Sequence, residues 1–433
     1  MKAEPSVTFV AAGTKGDVEP VVNLAREVAS RGVRVVFASH ARFAESVTGA
    51  GLAFEVLEGT DPRQVLEGEM LSNQASNPVS LGRRWRYAKR NFHPPTAVLR
   101  CYEELGSKAG LVVFGMLSWP MLHVAEQLGK KAVAANLAPF YPTGEFPAPV
   151  GPLGWHRRRH TTLVNRLGFL TMARYAWSCD QEWLNEWRMG QLGLGRIGFR
   201  QYRLKPGVPH LFGFSPAVLP KPADWPQEHQ VTGYWFPPET APRVGRSEVK
   251  DPAKTKTIYV YFGSNPLVTK NFYSEVLFPA LEVTGCRAVL GEGWGEPTEG
   301  TNPLVIPKGD RSFEELLACA GVVMHHGGAG TCAAVLRRGL PSLVYPFFGE
   351  QKFWAARLER LGVCPPAVMH RQLTREMLIA QIKEMLANPA YARNAAALGE
   401  KIRGEDGTAV GAARIIELLK RGKQSGATGA RKS

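Results

Sequence analysis

Residues 323–331 read VMHHGGAGT, and this stretch is the strongest indication of the fold in the sequence. Its apolar start belongs to a strand pattern, and a helical pattern follows through Cys332, Val335 and Leu336. A helix that begins after such a turn points free N–H groups and the positive end of its dipole at whatever occupies the turn. Because glycines let an anion approach the backbone closely, the stretch predicts an anion-binding turn. A plain strand-to-helix turn, in which the glycines only permit tight packing, stays open as the alternative.

This turn differs from two common phosphate motifs. The P-loop needs Lys followed by Ser or Thr after its last glycine, and the dinucleotide motif needs G-x-G-x-x-G at the start of a helix. Neither spacing occurs at residues 323–331. The chain also has no Asp-x-Asp pair and no C-x-x-C pair, so the sequence predicts no metal site.

Strand and helix patterns alternate on both sides of residue 240. In the second half, strands are predicted at Thr257–Phe262, Arg287–Leu290, Leu304–Ile306, Gly321–Met324 and Ser342–Tyr345. In the first half, they are predicted at Val7–Ala12, Val33–Ala38, Leu111–Gly115 and Ala132–Leu137. Helical patterns between them predict two α/β domains with parallel sheets, whose ligands bind in the loops that follow the strands. Residues 60–100 and 139–160 are irregular and are expected to line the cleft.

Composition excludes several other classes of protein. The 433 residues are 44% hydrophobic and 21% charged, as in an ordinary globular protein, and no apolar run reaches the length of a membrane span. The start of the chain does not have the form of a signal peptide. The six cysteines are predicted to be reduced thiols of a cytoplasmic protein. The net charge of +15 is spread over both halves, with 27 basic and 19 acidic residues in residues 1–235, so no nucleic-acid partner is predicted.

Three separated motifs resemble one enzyme family. HHGGAGT at 325–331, followed by PFFGEQ at 346–351, resembles the nucleotide-sugar motif of family 1 glycosyltransferases with the GT-B fold. GTKGDVEP at 13–20 resembles the acceptor-domain signature of that family, and VTGYW at 231–235 resembles the stretch before its interdomain linker. Within the family, the chain is most similar to sterol and lipid glucosyltransferases, with antibiotic glycosyltransferases close behind.

The resemblance implies a GT-B fold of two Rossmann-like domains that face each other across a cleft. Residues 1–235 would bind the acceptor, 236–256 would form the linker, and 257–405 would bind the UDP-sugar. Residues 406–420 would form a helix that crosses back to the first domain, before a disordered basic tail at 421–433.

The resemblance also assigns donor contacts. His326 would contact the β-phosphate, the backbone from Gly328 to Thr331 would hold the diphosphate, and Val305 would border the uracil. Glu350 and Gln351 would bind hydroxyls of the sugar; Glu350 stands where the family usually has Asp, which leaves the identity of the sugar open. The implied donor residues are Gly263, Ser264, Val305, His326, Gly328, Ala329, Gly330, Thr331, Glu350 and Gln351. A simpler interpretation makes Glu350 and Gln351 only the start of a helix.

Asp17 is the candidate catalytic residue, in a loop with Gly13, Thr14 and Gly16 that is implied to lie on the acceptor side. Placed after the first strand, its carboxylate would accept the proton of an acceptor hydroxyl as that oxygen attacks the anomeric carbon. The alternative is that Asp17 caps the helix that follows. One residue can do both.

These assignments predict an inverting, metal-independent transferase without a cofactor, with the UDP-sugar as co-substrate. Glucose is the expected sugar, and a small hydrophobic hydroxylated molecule such as a sterol or terpenoid is the expected acceptor. The alternatives are a soluble antibiotic or polyphenol acceptor, a sugar-nucleotide epimerase, or an inactive relative that serves as a partner subunit. Residues 83–90 and 155–160 interleave aromatic and basic side chains, which predicts peripheral contact with an anionic membrane; a solvated basic surface is the alternative.

Overall fold

A computed structural model describes residues 6–58, 94, 96–151, 160–203, 207–237, 255–263, 271–291 and 302–429, with side chains as far as Arg421. Its strands form two parallel sheets. The first has seven strands: β1 Ser6–Val10, β2 Arg34–Ser39, β3 Ala53–Val56, β4 Leu111–Gly115, β5 Lys131–Asn136, β6 His210–Phe212 and β7 Gln230–Val231. The second has four: β8 Thr257–Tyr261, β9 Arg287–Leu290, β10 Val322–His325 and β11 Ser342–Val344.

Helices separate most of these strands. Those of the first half are α1 Lys15–Ser30, α2 Ala44–Gly49, α3 Thr96–Lys108, α4 Met121–Gln127, α5 Thr162–Gly190 and α6 Phe199–Arg203, with 3-10 turns at Ala41–Phe43 and Met116–Ser118. Those of the second are α7 Phe278–Thr284, α8 Phe313–Cys319, α9 Ala329–Arg338, α10 Gln351–Arg360, α11 Arg375–Ala387, α12 Ala390–Arg403 and α13 Gly407–Gly429, with a π-helical turn at Phe272–Leu277 and a 3-10 turn at His370–Gln372.

The order of the strands creates one switch point in each sheet. The first sheet runs β3-β2-β1-β4-β5-β6-β7, so the chain leaves β1 in one direction and returns to its other side at β4. The second runs β11-β10-β8-β9. Here the chain leaves β8 towards β9 and returns to the other side of β8 at β10. Ligands of open parallel sheets bind outside the carboxyl ends of the strands at such points. The loops after β1, β4, β8 and β10 are therefore the positions from which a site is expected.

Buried apolar side chains also connect the two halves. Phe146 of the first half packs on Phe353 of α10, with ring centroids 5.6 Å apart, and Phe214 packs on Trp354 at 5.6 Å. The rings of all four are buried. The last helix, α13, places Ala412 and Ile415 in the same core as the buried face of α1.

The ends of several elements differ from those predicted. Helix α13 is assigned as far as Gly429, within the segment from residue 421 that we predicted to be a disordered tail. The disorder of that tail stays a prediction. Leu304–Ile306 forms only one bridge, from Val305 to Ala288, since Pro303 and Pro307 flank it without N–H groups. The linker predicted at 236–256 lies mostly outside the described residues, so the domain boundaries stay a prediction.

Candidate active site

The loop after β1 has a backbone that only glycine adopts without strain. Gly13 has a φ of +126°, and a Cβ built there would lie 2.6 Å from Oδ2 of Asp17. The Arg42 guanidinium donates a hydrogen bond to the Gly13 carbonyl and so holds the loop from the 3-10 turn after β2. Gly13 therefore makes room for the Asp17 carboxylate beside the end of β1.

Asp17 caps α1 with only one of its oxygens. Its Oδ2 accepts hydrogen bonds from the backbone N–H and from the hydroxyl of Thr14, both at 2.8 Å. Its Oδ1 receives no hydrogen bond from the described part of the chain, and the side chain is half-buried. The capping interpretation thus describes Oδ2, while Oδ1 is available to a ligand.

Opposing influences act on the pKa of Asp17. Burial raises the pKa above its ordinary value, and the two hydrogen bonds from Thr14 and the positive charge of Arg42 act in the other direction. The net result is a raised pKa. A carboxylate with a raised pKa is a stronger base than a solvated one, which suits proton abstraction from an alcohol.

A small cleft opens beside Asp17. Two carboxylates, Asp17 and Glu350, face it from opposite halves of the chain. The remaining lining residues are apolar or small: Ala12, Gly115, Met116, Leu117, Ala135, Leu137, Ala138 and Phe140. Such a lining suits an apolar molecule with its hydroxyl directed at a carboxylate.

The turn after β10 is built around Gly327. Its φ is +84°, and a Cβ there would lie 3.0 Å from the carbonyl oxygen of Gln351. The side chain of His325 is fully buried, and its Nδ1 accepts a hydrogen bond from the Gly327 N–H at 3.1 Å. Burial lowers the pKa of His325 to about 3, so this histidine is a neutral part of the turn. His325 is itself the last residue of β10.

His326 occupies the junction of the loops after β8 and β10. A Cβ on Gly263 would lie 3.2 Å from its Cε1, and a Cβ on Gly328 would lie 2.4 Å from its Nε2. Burial lowers its pKa to about 4, and a hydrogen bond with the backbone of Tyr261 acts in the other direction. Its Nδ1 is buried with no hydrogen-bond partner among the described residues. A neutral imidazole has one N–H to donate, so it would bind an anion by a hydrogen bond and not by full charge.

The first turn of α9 is open to a ligand. Gly328 is its N-cap and carries no side chain that could accept from the following N–H groups, and Ala329, Gly330 and Thr331 make up that first turn. The Thr331 hydroxyl makes no hydrogen bond with the described residues. A Cβ on Gly330 would lie 3.7 Å from the Cα of Gly16, so this turn directly faces the Asp17 loop. The unsatisfied N–H groups and the helix dipole favour an anion here.

The side chains of Glu350 and Gln351 have different surroundings. The Gln351 Oε1 accepts hydrogen bonds from the N–H groups of Phe347, at 2.9 Å, and Phe348, at 3.4 Å, so it holds its own turn, as the helix-start interpretation anticipated. The Glu350 carboxylate faces the cleft without a hydrogen bond from the described residues. Burial, and then the negative charge of Asp17, raise the pKa of Glu350 to about 7.

The structure describes only some of the remaining predicted site residues. Val305 lies at the edge of the second sheet, beside β9 and away from the cleft lining. Ser264 lies outside the described residues, as do most of the two basic aromatic segments. Sequence reasoning missed Met116 and Leu117; the available signal was that both directly follow β4, the strand beside β1. Phe140 lies in the segment 139–160, which was expected to line the cleft. In the described ranges, no group of three or more His, Cys, Asp and Glu could hold a metal ion, and metal independence stays a prediction.

Two family models match the two halves of the chain. Residues 7–147 match the glycosyltransferase family 28 N-terminal domain, and residues 308–418 match the erythromycin biosynthesis protein CIII-like C-terminal domain. Among solved structures, the calicheamicin glycosyltransferase CalG4 has a TM-score of 0.68 at 19% identity, covering 97% of this chain and 99% of that one. The chain is therefore a glycosyltransferase of the GT-B fold.

Relatives of known activity include both sterol and antibiotic glycosyltransferases. The O-mycaminosyltylonolide 6-deoxyallosyltransferase of Streptomyces fradiae is 31% identical over 93% of this chain and 94% of its own length. A sterol 3-beta-glucosyltransferase of Arabidopsis thaliana is 29% identical over 97% of this chain, and this chain spans 66% of that protein. A sterol 3-beta-glucosyltransferase of Cryptococcus neoformans is matched over 27% of its length. The chain belongs to the family that contains the sterol glucosyltransferases and the antibiotic glycosyltransferases.

Proposed function

We propose that the protein transfers a sugar, with glucose the first candidate, from a UDP-sugar to a hydroxyl of an apolar acceptor such as a sterol, terpenoid or other lipid-like molecule, with inversion at the anomeric carbon. The observation that carries this proposal is the free Oδ1 of Asp17 in an apolar cleft, opposite the open first turn of α9.

The reaction needs a base on one side of the anomeric carbon and an anion site on the other. The acceptor hydroxyl donates its proton to Asp17 Oδ1 as its oxygen forms the new bond to the anomeric carbon. The bond from that carbon to the phosphate oxygen breaks, and the UDP leaves with the bonding electrons. Its charge is stabilised by the N–H groups of Ala329–Thr331 and by the N–H of His326. Attack opposite the leaving group converts an α-linked donor into a β-glycoside.

The lining of the cleft supports an apolar acceptor. Met116, Leu117 and Phe140 surround the base, and apart from the two carboxylates the cleft carries no charged side chain. An acceptor rich in hydroxyl groups would lose hydrogen bonds to water there without replacement. The sterol glucosyltransferase relatives support the same class of acceptor.

The nucleotide of the sugar donor can be UDP or TDP. A solved neighbour, the glycosyltransferase VinC, is described in complex with dTDP, so TDP-sugars are candidates as well as UDP-sugars.

The test of the proposed function is incubation of the purified protein with UDP- and TDP-sugars and with sterol, terpenoid and flavonoid acceptors, with and without EDTA, with the products identified by mass spectrometry. We expect a hexose added to a sterol or terpenoid from the UDP donor, unchanged by EDTA. Products from flavonoids alone would instead support a soluble acceptor, and no transfer to any acceptor would support an inactive partner subunit or an epimerase.

We also propose that the protein collects its acceptor from an anionic membrane surface in the cytoplasm. None of the helices in the described ranges has the length and apolarity to cross a bilayer. The start of α5, which closely follows the basic segment 155–160, leaves Leu163 67% and Leu167 47% exposed. Arg166 lies between them and pairs with Asp224 at 3.3 Å. Exposed apolar side chains next to a basic segment suit a lipid headgroup boundary.

Sedimentation with vesicles tests the membrane proposal. We expect binding to anionic vesicles at low salt, release at high salt, and loss when Arg83, Arg84 and Arg86 are changed to Ser. A matched control changes Arg371, Arg375 and Arg393, which lie in the second half, to Ser. A protein that stays in the supernatant with anionic vesicles at low salt would overturn the proposal.

A further inference from the structure

Asp17 and Glu350 are two carboxylates in one small cleft, and their surroundings differ. Asp17 accepts two hydrogen bonds from Thr14 and lies within the field of Arg42. Among the described residues, Glu350 has no hydrogen bond and no cation beside it, and its charge acts on the buried thiol of Cys332 on α9. Thr14 and Arg42 therefore offset part of the effect of burial on Asp17, and Glu350 has no comparable support among the described residues.

Two negative charges in this cleft repel each other, because both carboxylate residues are half-buried and water screens them less than it does at an open surface. When two carboxylates share a site, one of them keeps a proton to a higher pH than usual. The hydrogen bonds from Thr14 and the charge of Arg42 select Asp17 as the ionised member. Glu350 is left as the member that stays protonated, in agreement with its pKa of about 7.

We propose that Asp17 and Glu350 hold a single proton between them across the cleft, with Glu350 as the neutral partner whose protonation keeps Asp17 ionised. Glu350 is then a positioning residue that acts on the base from the donor side of the cleft. A neutral carboxyl can also donate a hydrogen bond to a sugar oxygen, which an ionised one cannot do. When Glu350 loses its proton at higher pH, a negative charge appears in the cleft that must admit an anionic donor.

The coupling can be measured without any substrate. In the full-length protein labelled with ¹³C at Asp and Glu carboxyl groups, the signal lost in Glu350→Gln identifies Glu350, and the signal lost in Asp17→Asn identifies Asp17. We expect Glu350 to titrate about one pH unit lower in Asp17→Asn than in the unmodified protein, because the like charge is gone. Because Glu350 is still neutral while Asp17 ionises, the Asp17 titration should move little in Glu350→Gln, which puts a neutral amide in its place. The control Asp224→Asn, which removes a carboxylate bonded to Thr143 and Gly144 away from the cleft, should move neither signal.

Two outcomes would overturn the proposal: a Glu350 signal that titrates at the ordinary value of a glutamate, or a Glu350 signal that does not move in Asp17→Asn. The consequence for donor binding rests on the proposed function and is measured separately. Above pH 7 we expect the KM for the UDP-sugar to rise about threefold to tenfold in the unmodified protein and to stay level in Glu350→Gln. A coupled titration in a protein that transfers no sugar would refute the proposed function and leave the shared proton intact.

Discussion

The two strand–turn–helix units that face each other across the cleft begin their helices in opposite ways. At α1, Asp17 and Thr14 occupy the first turn with their own side chains, and a carboxylate lies at the positive end of the helix. At α9, Gly328 caps the helix without a side chain, and small residues follow. A helix N-terminus that already carries a carboxylate has no place for a phosphate, whereas an unoccupied one attracts it. One architecture thus provides a base at one turn and an anion site at the other.

The largest expected effect is that of Asp17→Asn, which removes the base but keeps the shape of the α1 turn. We expect kcat to fall by about two to four orders of magnitude, the usual contribution of general-base catalysis, while UDP affinity stays unchanged. Steady-state kinetics and calorimetry with UDP measure the two effects. A well-folded variant with near-normal turnover would show that Asp17 only caps α1.

Gly327→Ala tests how much the α9 turn depends on its backbone. A side chain at a φ of +84° and 3.0 Å from the Gln351 carbonyl should lower the free energy of unfolding by about 2 kcal/mol. Gly349→Ala is the control, because its φ of +57° carries the same backbone penalty but nothing lies within 4 Å of the added Cβ. Equal losses in urea unfolding would show that the close approach to Gln351 costs nothing.

His326→Ala tests the anion side of the comparison. Loss of one hydrogen bond to a phosphate should weaken UDP binding by about tenfold, while Lys15→Ala, on the α1 turn, should change it little. Calorimetry with UDP decides between the two turns. The same UDP affinity in His326→Ala as in the unmodified protein would remove the phosphate assignment.

Thr14→Ala tests the smallest effect, the influence of the cap on the base. Removing the hydroxyl that stabilises the ionised Asp17 should raise its pKa, so the fall of kcat/KM at acidic pH should begin at higher pH, by about half a unit, with a loss of about 1 kcal/mol in stability. Thr374→Ala removes a comparable cap from α11, away from the cleft, and should reproduce the loss of stability without moving the pH profile. A profile that moves equally in both variants would contradict the proposed link.

Patterns within the chain were enough to predict much of the framework. Strands β4 and β9 occur at the predicted residues, and the glycine turns at 13–17 and 327–330 lie where the motifs indicated. Helix α5 and the short strands β6 and β7 were not predicted. The polar and apolar residues of α5 are not segregated to opposite faces, and strands of two or three residues are too short for a periodic signal.

By itself the sequence determined the two turns and their chemistry, because a glycine at positive φ, a free helix N-terminus and a capping carboxylate are local consequences of neighbouring residues. Only the tertiary structure decided which loops meet. The placement of β4 beside β1 brings Met116 and Leu117 to Asp17, and the packing of the two halves brings Glu350 of the second opposite Asp17 of the first. Strand order and packing between the halves depend on contacts between residues far apart in the chain, which no local pattern encodes.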